Sequence, residues 1–226
     1  MKITALLPMK SHSERVPNKN MKNFSGSPLY HVIMETLQKS ACIKEVVVNT
    51  DSESLAEDAT KNFEHIHIIN RPEKIRGDFV SMNKIIAYDL SKIEGDHFLQ
   101  THSTNPLVQV ETIDKAIETY FSNLDKYDSL FSVTRLQTRL YYQDGRPVNH
   151  DPKKLIRTQD LNPLFEENSN FYIFSRKSFF DAGGMRIGLK PQMFEIDKLE
   201  AIDIDDERDF ELAEILYEKR FYRRGR

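Results

Sequence analysis

Through its first 135 residues the chain alternates short β-branched runs with stretches of helical periodicity. Ile3–Leu7, Glu45–Thr50, His65–Ile69, His97–Thr101 and Ser129–Thr134 read as strands. Between them, Pro28–Ser40, the stretch from Asp51 through Phe63, Ser81–Ile93 and Val110–Phe121 read as helices. In the first of these, Leu29, Val32, Ile33 and Leu37 share one face, and Asp51-Ser52-Glu53 offers a cap for the second. Strand–helix alternation with short connections predicts an α/β fold. Its sheet is mostly parallel and Rossmann-like, flanked by helices and joined by right-handed crossovers. At 226 residues the chain suits one domain, 1–226. Ligands of such sheets bind beyond the carboxyl ends of the strands. The loops to search are therefore Met9–Gly26, Thr50–Ser54, Arg71–Asn83 and Gln100–Leu107.

The pattern breaks after Arg135. Leu140-Tyr141-Tyr142, Asp144-Gly145 and Arg146-Pro147-Val148 read as a hairpin with a tight turn, followed by a polar stretch holding Pro152 and Pro163. Residues 136–170 therefore read as an inserted excursion able to cover a site or a second subunit. A strand at Phe171–Ser175, a short helix near Lys177–Ala182 and an amphipathic helix from Asp206 to about Arg220 follow. The last of these turns Phe210, Ala213, Leu216 and Tyr217 inward, and the final Arg223-Arg224-Gly225-Arg226 reads as a solvated tail.

Composition removes several function classes. With 32 basic and 35 acidic residues the formal net charge is -3, unlike a protein that binds nucleic acid by neutralising phosphates. The single cysteine, Cys42, excludes an internal disulfide framework, and no CxxC or HExxH pair suggests zinc. No apolar segment is long enough for a signal peptide core or a membrane span, so a soluble cytoplasmic protein is expected.

Two stretches carry charge chemistry. The first strand opens into Pro8-Met9-Lys10-Ser11-His12-Ser13-Glu14-Arg15-Val16-Pro17-Asn18-Lys19-Asn20, a basic, hydroxyl-bearing loop of the kind that presents cations and N–H groups to a polyphosphate. It contains no glycine, so it is neither a P-loop nor a dinucleotide fingerprint. Near the far end of the chain lies Ala201-Ile202-Asp203-Ile204-Asp205-Asp206. With strand periodicity Asp203 and Asp205 project to one face, where their repulsion favours a cation between them. That pair suits Mg²⁺, which takes one or two carboxylates and completes its shell with water and phosphate oxygens. The plainer reading, an acidic end capping the last helix, fits Asp206 best.

These stretches resemble the acylneuraminate (CMP-sialic acid and nonulosonate) cytidylyltransferases, whose opening runs A-R-G-G-S-K-R-I-P-x-K-N. Ser13, Arg15, Pro17, Lys19 and Asn20 match it, Lys10 replaces an arginine, and Ser11-His12 replaces the glycine pair. The family's I-D-I-D-[TS]-x-x-D-F is met by Ile202 through Phe210, L-L-Q-P-T-S-P-L-R by a longer Leu99–Leu107, and E-N-G-A-x-Y-I by Glu167–Ile173. The resemblance implies a fold of the nucleotide-diphospho-sugar transferase type. It implies that Lys10, Ser13, Arg15 and Lys19 face the CTP phosphates, that Asn20 holds the nucleotide, and that Arg71 and Ser81 border the cytosine pocket. Asn83 is a weaker match there. It further implies that Gln100, Thr104 and Asn168 meet the sugar acid, and that Asp203 and Asp205 bind Mg²⁺. Asp51 matches the family's S-T-D and reads equally well as a helix cap. His102, read as exposed on its loop, gains no assigned role. Arg157-Thr158-Gln159-Asp160-Leu161 is similar to an R-x-Q-D-L in the family's dimerisation excursion, which implies a homodimer.

The reaction implied is nucleotidyl transfer from CTP to a nine-carbon 2-keto sugar acid, giving a CMP-sugar and pyrophosphate. Such chemistry needs placement and charge neutralisation rather than a protein nucleophile, and Arg15, Lys19 and Asp205 are the residues expected to carry it. Two alternatives stay open. One is a CTP-dependent transferase for an eight-carbon keto acid or a polyol phosphate; the other is a non-catalytic nucleotide-binding protein on the same fold.

Overall fold

A computed structural model describes residues 2–224, the side chains of 221–224 excepted; Gly225 and Arg226 of the expected tail lie outside the described residues. The chain begins with β1 (Ile3–Met9), buried along its whole length, and the basic loop. A two-strand hairpin of β2 (Asn23–Phe24) and β3 (Ser27–Pro28) leads into helix α1 (Leu29–Lys39). There follow β4 (Ile43–Thr50), α2 (Glu53–Asn62), β5 (Ile66–Asn70), α3 (Met82–Leu90), β6 (His97–Thr101), α4 (Val110–Ser122) and β7 (Ser129–Leu136). The chain ends with β8 (Leu164–Ser175), α5 (Arg176–Asp181), β9 (Pro191–Glu195) and α6 (Glu207–Arg224). Among the described residues no helix is long and apolar enough to cross a membrane.

The sheet has seven strands in the order β5-β4-β1-β6-β8-β7-β9, and β8 alone runs antiparallel to its neighbours. From β1 the chain steps outward to β4 and β5, then returns to lay β6 on the other side of β1. The crevice outside the carboxyl ends of β1 and β6 is thus the topological switch point.

Side-chain alternation sends successive strand residues to opposite faces. Ala5, Leu7, Val46, Val48 and Leu99 meet α1, α2 and α4 on one side. Leu6, Val47 and Phe98 meet Ile86 and Leu90 of α3 and Phe179 of α5 on the other. Each Leu, Val, Ile or Phe side chain so withdrawn from water contributes about 1.5–3 kcal/mol. A third, smaller cluster joins Val16 of the basic loop and Phe24 of the hairpin to Leu29, Ile204, Phe210 and Ala213.

Four departures from the sequence reading have physical reasons. The strand expected at Phe171–Ser175 starts at Leu164, because Leu164–Glu167 continues the ladder against Val133–Leu136 across a bulge. Ser169 holds φ at 58° in that bulge, which breaks the alternation a strand would show in sequence. The excursion outside the sheet is accordingly 137–163, and within it an antiparallel bridge pairs Tyr141 with Pro147. Strand β9 was not foreseen: it is an edge strand with partial burial only, so it lacks an apolar run. Residues 202–205 form no strand. Their in–out alternation comes instead from Ile204 sinking into the third cluster, its N–H bonded to the Thr104 carbonyl at 2.9 Å.

Candidate active site

At the switch point a cleft of about 280 Å³ opens, walled by the loop after β1, the stretch before α3 and the exit of β6. Lys10, Ser13, Lys19, Asn20, Arg71 and Thr104 line it together, as do His12, Asp78, His102 and Ser103. Side chains up to 94 residues apart in sequence, Lys10 and Thr104, therefore line one cleft.

The basic loop is held by specific bonds rather than by glycine. Asn18 takes the left-handed conformation (φ 52°), which asparagine tolerates, and starts the short turn that carries Lys19. Ser11 and His12, at the glycine-pair positions, need no positive φ. The Ser11 N–H donates to Asp51 Oδ1 at 2.7 Å, so Asp51 ties down the loop, while Ser52 caps α2 by accepting from the Leu55 N–H. The Asn20 amide donates to the Lys10 carbonyl at 2.9 Å, and its oxygen accepts from the Ser103 hydroxyl, joining the β1 and β6 loops. Lys10 pairs across the mouth with Asp78.

Lys19 and the acidic segment meet directly. The buried Lys19 ammonium donates to the Ile204 carbonyl, between the two aspartates. Burial pushes its pKa down, against the pull of Asp203 and Asp205. Partial desolvation pushes the Asp203 carboxyl up, against a hydrogen bond from Thr104, with Asp205 adding to the rise. Arg15 bridges Asp205 at 2.7 Å in an exposed pair. Asp206 caps α6, accepting from the N–H groups of Arg208 (2.8 Å) and Asp209 (3.1 Å), and Asp209 reciprocates to the N–H groups of Asp205 and Asp206. The Asp203 and Asp205 carboxylates are acceptor-only, solvent-accessible and beside Lys19 and Arg15, which fits a hard cation. Among the described residues no third His, Cys, Asp or Glu joins them, so any such ion would complete its shell with water and phosphate oxygens.

The other expected residues are placed differently. Arg71 is buried in the cleft floor and donates to the Met9 and Asn49 carbonyls (3.1 and 2.9 Å) and to the Asn49 side chain (2.7 Å), stapling the ends of β1 and β4. Ser81 is exposed at the start of α3. Gln100 is fully buried behind His102: its amide donates to the Thr101 carbonyl (2.8 Å) and to His102 Nε2 (3.0 Å), and its oxygen accepts from Arg186 (2.6 Å). Asn168 is spent inside the β8 bulge on Ser132, Thr134 and the Asn170 N–H. His102 is no exposed loop residue. Burial, then Arg186, pushes its pKa down to about 3, so its ring is neutral and Nε2 accepts.

Arg186 itself escaped the sequence reading. It stands alone after Gly183-Gly184-Met185, in no motif and in no expected element. Only the return of β8 beside β6 brings it to Gln100.

The family model described as Cytidylyltransferase matches residues 4–226. A pseudaminic acid cytidylyltransferase of Campylobacter jejuni is 26% identical over 96% of this chain and 97% of its own length. A CMP-N,N'-diacetyllegionaminic acid synthase of Legionella pneumophila is 27% identical over the same shares. Among solved structures, a CMP:2-keto-3-deoxy-manno-octonic acid synthetase complexed with CTP superposes with a TM-score of 0.71 at 12% identity, covering 97% of this chain and all of that one.

Proposed function

The chain belongs to the cytidylyltransferase family, and on that premise we propose that it transfers the cytidylyl group of CTP to a 2-keto sugar acid of the nonulosonate class. The acceptor's anomeric oxygen bonds to the α-phosphorus as the bond to the β-phosphate oxygen breaks. Pyrophosphate leaves and the hydroxyl proton passes to solvent. The relatives named for pseudaminic and legionaminic acids support that acceptor class.

The observation that carries the reading is the meeting of Arg15 and of Lys19, which lines the cleft, with the Asp203–Asp205 segment. Cations on a rigid loop can hold the β- and γ-phosphates in line and neutralise charge growing on the leaving pyrophosphate. Lys10, released from Asp78, adds a third positive charge, and Asn20 and Ser13 offer hydrogen bonds from the same wall. Asp203 and Asp205 would hold Mg²⁺, which when bound supplies charge neutralisation on the phosphates and acidifies an attacking hydroxyl. No side chain is needed as a nucleophile, and His102 with its occupied Nε2 is not placed as a base.

Pyrophosphate release from CTP, measured with nonulosonic acids, an eight-carbon keto acid and a polyol phosphate, tests the proposal. Asp205→Asn should remove Mg²⁺-dependent turnover, a loss of about 10²-fold or more, with the fold intact by circular dichroism. Full activity in that variant would sink the metal assignment.

A further inference from the structure

Arg186 is held from three elements at once. Its Nη1 donates to Gln100 Oε1 of β6 at 2.6 Å, and its guanidinium carbon lies 3.6 Å from the centroid of the Tyr172 ring of β8. Its backbone N–H donates to Asn83 Oδ1 of α3 at 3.2 Å. The side chain is only partly exposed, and burial pulls its pKa below the usual arginine value. Yet among the described residues no carboxylate forms an ion pair with it. Glu167, which acts on it from farther off, already accepts the Tyr172 hydroxyl.

A positioned, partly desolvated cation without a counter-ion is costly unless an anion arrives to share it. The location says where that anion would sit. Gln100 links Arg186 to His102, and His102 lines the cleft beside Thr104 at the exit of β6. His102 is neutral and cannot supply charge there. Gln100, with both amide hydrogens and one oxygen lone pair engaged, has little left to offer a ligand.

Resting on the function proposed above, we propose that Arg186 is the specificity residue that binds the carboxylate of the acceptor sugar acid. Its planar fork matches a carboxylate, and the Tyr172 ring and Gln100 fix its orientation before the ligand arrives. Arg186 then reads the acceptor while the β1 loop reads the triphosphate.

The test varies the acceptor against saturating CTP, using a 2-keto sugar acid and its carboxamide analogue, with wild type, Arg186→Gln and Arg186→Lys. Arg186→Gln should raise KM for the acid about 10- to 100-fold while leaving KM for CTP within about twofold. Wild type should prefer the acid over the carboxamide by a similar factor, and Arg186→Gln should lose that preference. Arg186→Lys should recover part of it. Equal losses on acid and carboxamide, or a matching rise in KM for CTP, would show a merely structural arginine and overturn the assignment alone. Wild-type turnover of a polyol phosphate in place of every sugar acid would overturn the functional reading, and this proposal with it. CTP-dependent thermal stabilisation of each variant confirms that it is folded.

Discussion

At the scale of single residues, the site depends on buried polar groups that motifs do not advertise. Asp89 is fully buried beneath the cleft, where it accepts from the Asn49 amide, and Asn49 in turn orients Arg71. Loss of water pushes the Asp89 carboxyl up to about 7, outweighing the opposing effects of Asn49 and Arg71. The folded state thus keeps a proton that the unfolded chain, with a pKa near 3.8, releases earlier. Stability from this group is full below about pH 4 and is lost as pH rises through about 7, at roughly 1.4 kcal/mol per pH unit. Asp89→Asn should abolish that slope. Urea melts at pH 4 and pH 8 should show the variant gaining on wild type at the higher pH by about 4 kcal/mol; parallel slopes would refute it. Of the site residues, Lys10, Ser13, Lys19, Asn20, Arg71 and Thr104 were legible because they stand in short motifs at strand exits. Arg186 and Asp89 were not, because a lone arginine and a helical aspartate take their meaning from neighbours distant in sequence.

At the scale of elements, the β2–β3 hairpin and the start of α6 act as the clamp that assembles the site. Phe24 packs edge-on to Phe210 and Tyr217 at centroid distances of 5.4 and 5.2 Å, and Val16 and Ile204 fill the same cluster. Those apolar contacts, more than the exposed Arg15–Asp205 pair, hold the cation loop against the aspartates, since an exposed ion pair is worth at most about 1 kcal/mol. Ile204→Ala should cost about 2–5 kcal/mol in denaturant melts. In a background stable enough to tolerate it, the same change should raise KM for CTP, because Lys19 loses its seat. An unchanged KM would separate the cluster from the site. The amphipathic pattern of α6 announced its inward face, but nothing in sequence said which loop that face would meet.

At the scale of the whole molecule, the 137–163 excursion contributes no strand to the sheet. It exposes Leu155 at 92% and Tyr141 at 54%, apolar area that a second copy of the chain could cover. The expected outcome is a homodimer by light scattering, shifted toward monomer by Leu155→Glu without loss of secondary structure; a monomeric wild type would refute it. The alternation of β-branched runs and helical patterns by itself determined the α/β class and the strand-exit loops. Residue chemistry in those loops and in the Asp203–Asp205 segment marked the side chains proposed to meet phosphate and metal. These are local properties, governed by periodicity and charge. The tertiary structure alone decided the antiparallel return of β8, the edge strand β9, and the meeting of Lys19 with Ile204 and of Arg186 with Gln100. Each depends on contacts between segments that are distant along the chain, and their energy exists only once the sheet has closed around them.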